Sequence, residues 1–276
     1  MRRAFVLATM LTLATSLLAV TVPQHVTAGN DVTIQASGSR LYVACLGHTA
    51  KYKVENGSVT IKGDDLQAAG RCLVSDGDSS AVMFVEPAQV GRMNFLAQPS
   101  RVPAAKPGVI SGTAFIFDKW NNLITAPTPV KFELSVEGAP TISRTVEAKN
   151  GVAYVRSDSS KKEGNASFVA SAGNASVKRV IRQVAAEPCN LKMNARQEKN
   201  GIFVETAPVR DCSGNAVPDG TIVTFTSMDP SGKTTIDARV KKGIATAMLP
   251  PAERADISVA SGITAGNEIR WHGGAQ

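Results

Sequence analysis

Thr113-Ala114-Phe115-Ile116-Phe117-Asp118 matches Thr206-Ala207-Pro208-Val209-Arg210-Asp211 at an offset of 93 residues. At the same offset, without a gap, Asn122 matches Asn215 and Val130-Lys131-Phe132 matches Val223-Thr224-Phe225. Further on, Gly151-Val152-Ala153 matches Gly243-Ile244-Ala245, and Val169-Ala170-Ser171 matches Val259-Ala260-Ser261. A unit of roughly 90 residues therefore occurs twice, which is the size of one β-sandwich domain. This repeat constrains the fold more than any other feature, because each copy must bury the same set of alternating residues.

The alternation inside the repeat is that of strands. Val130, Phe132, Leu134 and Val136 alternate with Lys131, Glu133, Ser135 and Glu137, giving one apolar face and one charged face. Asn150-Gly151 separates two further strand-like runs, and Asn-Gly accepts positive φ at both turn positions, so a hairpin is predicted there. Val177 to Val184 reads as the closing strand. Ahead of the repeat, Lys51 to Glu55 alternates, Asn56-Gly57 turns, and Ser58 to Lys62 alternates back, which is a second hairpin. Leu41 to Cys45 and Ala81 to Val85 are further predicted strands. Few aromatics and many Val, Ile, Thr, Ser and Gly favour strands throughout, and no segment keeps a 3.6-residue apolar period over three turns. The three prolines of Gln98 to Gly108 and the segment Ala185-Ala186-Glu187-Pro188 read as linkers.

The N-terminus reads as an export signal. Arg2 and Arg3 precede an uncharged run from Ala4 to Val22, Pro23 breaks it, and Val26-Thr27-Ala28 offers small residues for a cut after Ala28. The mature chain is then expected to begin at Gly29, with no later run long and apolar enough to span a bilayer. Export places Cys45, Cys72, Cys189 and Cys212 in an oxidising compartment, and local pairing, Cys45 with Cys72 and Cys189 with Cys212, is the simplest arrangement. No cysteine pair has the short spacing of a zinc site.

Charge is unevenly spread. Residues 29–100 carry 6 basic and 7 acidic side chains, residues 101–186 carry 12 and 6, and residues 187–276 carry 10 and 10. In an exported chain that basic middle segment need not mean nucleic acid, and an acidic polysaccharide, a lipid headgroup layer or an acidic protein face suits it better as a partner. Lys178, Arg179 and Arg182 form its densest cluster, set against the plain reading of a solvated face. On an extended strand Lys178 and Arg182 share one side and Arg179 takes the other. Trp120, beside Lys119 in a predicted turn, is either folded over the core edge or an exposed aromatic anchor.

A search for chemistry finds none. The predicted mature chain has only His48 and His272, in different segments, and no Gly-x-Ser pattern has the strand-turn-helix context of a nucleophile elbow. Asp76-Gly77-Asp78-Ser79-Ser80 alternates oxygen ligands as a calcium loop does, but the twelfth position is Pro87, so a polar turn is the better reading. Asp118 and Asp211 read as caps of their own turns. No catalytic residue, metal or cofactor is indicated.

The second copy resembles the bacterial immunoglobulin-like domains of invasin- and intimin-type adhesins. The resemblance is carried by Ala207, Asp211, Gly214-Asn215, Val217-Pro218-Asp219-Gly220, Val223-Thr224-Phe225, Gly243-Ile244-Ala245 and Val259-Ala260. The first copy resembles them less, since Trp120-Asn121 stands where that turn prefers a small residue and glycine. Cys189 and Cys212 depart from the usual repeat. The resemblance implies two-sheet sandwiches used as spacer or adhesive modules, and it transfers no binding site. The expected organisation is all-β: a signal peptide (1–28), a small disulfide-stapled β domain (29–100) and two immunoglobulin-like sandwiches (101–186 and 187–276). The expected function is that of a non-enzymatic binding or spacer protein, secreted or periplasmic, whose partner is an unknown protein or an anionic or glycan surface ligand. Two alternatives stand beside it: a carbohydrate-binding protein that stacks sugar on Trp120 or Trp271, and an enzyme whose site is built from loops.

Overall fold

A computed structural model of the chain describes residues 20–273. The part of the apolar run up to residue 19 lies outside the described residues. The chain divides into two compact units. The first comprises residues up to Gly91 together with Phe117–Thr125, and the second comprises Arg92–Ile116 and the chain from Ala126 onward.

The first unit contains strands β1 (His25–Thr27), β2 (Val32–Gln35), β3 (Arg40–Cys45), β4 (His48–Lys53), β5 (Ser58–Ile61), β6 (Gly70–Ser75) and β7 (Ser80–Glu86). Five of them form a sheet in the order β1-β7-β6-β3-β4, and β2 pairs with β5. Inward residues at alternate positions (Ile34, Leu41, Ile61, Met83) are fully buried, as period-2 patterning requires. The turn between β4 and β5 has Asn56 and Gly57 at φ 51° and 74°, the backbone that Asn-Gly was expected to supply, but β4 pairs with β3 and β5 with β2, so the turn carries the chain from one sheet to the other and the expected hairpin does not form. Cys45 is bonded to Cys72 across this unit.

Residues on either side of the expected cleavage point belong to this fold. β1 pairs in parallel with β7, Val20 and Ala28 are buried, and Thr21 exchanges backbone hydrogen bonds with Gln35. The Ala28 N–H donates to the Glu86 carbonyl and the Gly29 N–H to the Leu66 carbonyl.

The second unit holds two sandwiches. The first is built from β8 (Arg92–Gln98), β9 (Arg101–Pro103), β10 (Ile110–Phe117), β11 (Thr128–Ser135), β12 (Ile142–Ala148), β13 (Val152–Ser157), β14 (Gly164–Ala172) and β15 (Ala175–Val184). Its sheets run β13-β10-β8 and β12-β11-β14-β15-β9. Phe95, Phe132 and Phe168 meet at its centre, with ring centroids 5.1 to 6.2 Å apart. Gly112 faces this cluster, where a Cβ would sit 2.9 Å from the Phe168 ring and 3.0 Å from that of Phe95.

Arg92–Gln98, read from sequence as the end of the first segment, is thus a strand of this sandwich. The proline-rich stretch after it is no linker either. β8 and β9 lie in different sheets, with the cis Gln98–Pro99 peptide between them, and β9 pairs in parallel with β15 while Val102 and Ala104 are buried. The prolines mark a strand changing sheets, a use compatible with an edge position that spares the ladder a donor.

The last sandwich contains β16 (Pro188–Cys189), β17 (Met193–Glu198), β18 (Gly201–Thr206), β19 (Arg210–Asp211), β20 (Ile222–Asp229), β21 (Gly232–Arg239), β22 (Thr246–Leu249), β23 (Arg254–Ser261) and β24 (Thr264–His272). β21-β20-β23-β24 is its larger sheet, and Val204, Val223, Phe225, Leu249 and Ile257 are central to its core. Asn150-Gly151 (φ 49° and 79°) joins β12 and β13, which lie in different sheets, so it is a sheet-to-sheet turn and not the expected hairpin; its equivalent is Lys242-Gly243 (φ 50° and 83°), and the repeat preserves the backbone where it changes the residue. Cys189 is bonded to Cys212. Among the described residues no helix is long and apolar enough to cross a membrane.

Candidate binding surface

The repeated Asp and Asn positions organise both units. Asp211, buried, accepts hydrogen bonds from the Ser213 and Asn215 N–H groups, as a turn cap does, and also from the Ala186 N–H and the Asn215 side-chain amide. Asn215 then reaches the preceding sandwich. Its Nδ2 donates to the Lys161 carbonyl (2.8 Å) and its Oδ1 accepts from the Glu163 N–H (3.2 Å). In the first unit Asp118 and Asn122 repeat the pattern. Asp118 accepts from the Trp120, Asn122 and Ala88 N–H groups, and Asn122 bonds the Gln67 carbonyl and the Ala69 N–H. Burial pushes the Asp211 carboxyl up, but the hydrogen bonds from Asn215, Ala186 and Ser213 outweigh it and hold the pKa below the ordinary value.

This clasp fixes the loop that carries Glu163 beside the basic strand β15. Antiparallel pairing with β14 sets Lys178 opposite Val169, Val180 opposite Ser167 and Arg182 opposite Asn165, all on the outer face. Arg179 stands opposite the buried Phe168, on the other side, and its Nη1 donates to the Lys178 carbonyl. Parallel pairing places Arg101 of β9 beside Arg182. Arg101, Lys178, Val180 and Arg182 are exposed, Val180 at 57%. Lys131 on the same sheet is matched by Glu133 at 2.7 Å, whereas among the described residues Arg101, Lys178 and Arg182 have no carboxylate in ion-pair range. Arg182 Nη1 donates to the neutral Asn165 Oδ1. Arg101 and Arg182 line a groove of about 510 Å³ with Glu163, Val184, Ala216 and Pro218.

Trp120 lies elsewhere, in the first unit. It packs against that unit's core, the Lys119 ammonium sits 4.1 Å from its ring centroid, and its benzo edge abuts Gly29 so closely that a Cβ there would collide with it. With Asn122, His48 and Asp65 it lines a groove of about 340 Å³. His48 Nε2 lies 2.8 Å from Tyr52 Oη, and burial followed by the nearby Asp65 pushes the Tyr52 pKa up to about 12. Trp271 is half-buried and donates from Nε1 to the Ala252 carbonyl. The Asp76 turn is self-satisfied: its carboxylate accepts from Ser79, Asp78 and Ser37, with the Ser79 N–H bond the main cause of a pKa lowered to about 2. Among the described residues no three His, Cys, Asp or Glu side chains are grouped to hold a metal.

Sequence reasoning singled out Lys178, Arg179 and Arg182 but missed Arg101 and Glu163. The basic surplus pointed to the region. The parallel pairing that brings Arg101 to Arg182 has no local signal.

No protein-family model and no curated protein matches the chain. Solved structures do. The Escherichia coli adhesin FdeC matches at 16% identity with a TM-score of 0.65, covering 90% of this chain and 93% of that one. InvD of Yersinia pseudotuberculosis matches at 12% identity with a TM-score of 0.58, covering 94% and 97%. At such identities the likeness is one of fold. The chain carries tandem immunoglobulin-like β-sandwich domains behind a small disulfide-stapled β domain, a fold it shares with these two proteins.

Proposed function

We propose that this is an exported, non-enzymatic, adhesin-like protein of the cell envelope, secreted or periplasmic, that binds an anionic surface ligand through the outer face of β15. One observation carries the reading. On a fold shared along most of its length with an adhesin, three cations, Arg101, Lys178 and Arg182, stand together without a carboxylate partner. An excess of like charge on one face raises the local concentration of opposite charge and favours anionic partners. The two disulfides favour an oxidising compartment. The half-burial of Trp120 and Trp271 weighs against either as a sugar-stacking platform.

Retention on an anionic matrix tests it. Retention should fall as added salt shortens the screening length toward about 8 Å at physiological strength. The pair Lys178→Ser and Arg182→Ser should lower it more than Arg179→Ser, which lies on the other face. Equal losses would mean that net charge acts without a defined surface, and no loss at low salt would remove the proposal.

A further inference from the structure

We propose that the groove of Arg101, Arg182 and Glu163 is a site for an acidic saccharide unit carrying a single carboxylate; this rests on the reading of the β15 face as ligand-binding. Three features of the groove select that chemistry. The first is the guanidinium pair. Register partners on parallel strands lie about 4.8 Å apart and project to the same side, so Arg101 and Arg182 present two planar donor forks next to each other. Such forks match a carboxylate bidentately. Arg182 spends one N–H on the amide of Asn165, and Arg101 has no side-chain partner among the described residues, so donors are left for a ligand.

The second feature is Glu163. It lines the same groove with no cation in ion-pair range, and its backbone is held by Asn215. Its exposed carboxylate can accept hydroxyl hydrogens, and it repels further negative charge. Two guanidiniums against one carboxylate leave a single positive charge to be matched, which fits a monoanion bearing hydroxyls better than a highly sulfated chain. The third is the apolar lining from Val184, Ala216 and Pro218, which can face the C–H side of a sugar ring. A volume of about 510 Å³ lies within the usual range of small-ligand sites.

The test is an NMR titration of the full chain with methyl glucuronide, methyl glucoside, glutarate and dextran sulfate. Methyl glucuronide should saturate with shifts at Arg101, Arg182 and Glu163, and methyl glucoside should bind at least about tenfold more weakly, the value of one charge-assisted pair. Arg101→Ser should cost about tenfold for the glucuronide. Glu163→Gln should weaken the glucuronide severalfold yet strengthen dextran sulfate, a change of opposite sign that general attraction does not produce. Equal binding of glucoside and glucuronide, glutarate binding as tightly as the glucuronide, or an indifferent Arg101→Ser each overturns the site. If the glucuronide fails while Lys178→Ser with Arg182→Ser still abolishes retention on the anionic matrix, the groove proposal falls and the β15 reading stands. If retention also ignores those substitutions, both fall.

Discussion

Asn215→Ala should destabilise the second unit by about 2–4 kcal/mol. The side chain makes three bonds: a charge-assisted one to Asp211 Oδ2 at 2.8 Å, one to the Lys161 carbonyl at 2.8 Å and one from the Glu163 N–H at 3.2 Å. A hydrogen bond to a charged group contributes about 1.5–3 kcal/mol and a neutral one about 0.5–1.5 kcal/mol. Water can re-satisfy part of the exposed 161–163 loop, which brings the sum down to the stated range. Asn215→Asp sharpens the argument. It keeps the shape but sets a second carboxylate against Asp211, and like charges about 4 Å apart repel by about 4 kcal/mol at an effective dielectric of 20. It should therefore be worse than Asn215→Ala at pH 9 and recover as pH falls through neutrality, because repulsion of that size raises the pKa of one of the two carboxyls by about 3. Urea denaturation of the full chain, followed by Trp271 fluorescence in a Trp120→Phe background, reads both variants. A loss under about 1 kcal/mol for Asn215→Ala, or an aspartate no worse than alanine at pH 9, would refute the clasp as an energetic link.

Asp76 has its pKa lowered to about 2, so its contribution to the first unit is complete above the unfolded value of about 3.9 and disappears as pH falls through about 2; a carboxyl NMR titration midpoint near the ordinary value would contradict this. Replacing Cys189 and Cys212 with serine removes a bridge spanning 23 residues of sequence and should cost about 3 kcal/mol, measured by denaturation of the full chain. N-terminal sequencing of exported protein should find a start at or before Val20, because a start at Gly29 discards β1 and the buried Val20 and Ala28. A chain begun at Gly29 should melt at a lower temperature than one begun at Val20.

What was legible in the sequence is what local pattern encodes. Alternation located the strands, Asn-Gly located two turns but not their partners, since each turn passes the chain between sheets and closes no hairpin, and the recurring offset located the repeated sandwich. Periodicity along β15 also separates Lys178 and Arg182 from Arg179 without knowledge of any neighbour. The domain edge at 100 was misread because proline normally interrupts a strand, and here it interrupts one strand in order to start another in the facing sheet. The cue was the right cue for a break in pairing and gave no information about which body the next strand joins.

The same limit explains the two functional features that sequence did not supply. Asp118 and Asp211 were readable as turn caps, since the cap spans only two to four residues. The long-range half of each clasp was not, because Asn122 and Asn215 bond carbonyls and amides more than fifty residues away that have no side-chain signature. Arg101 was hidden by being assigned to a linker, and only its parallel register with Arg182 turns two scattered arginines into one site. Glu163 joins that site because Asn215 holds its backbone. The residue that carries the repeat signal therefore also places the acid of the proposed groove, so a change at Asn215 should disturb ligand recognition as well as stability. Asn122, which makes the corresponding bonds to the 67–69 loop of the first unit, should affect stability alone.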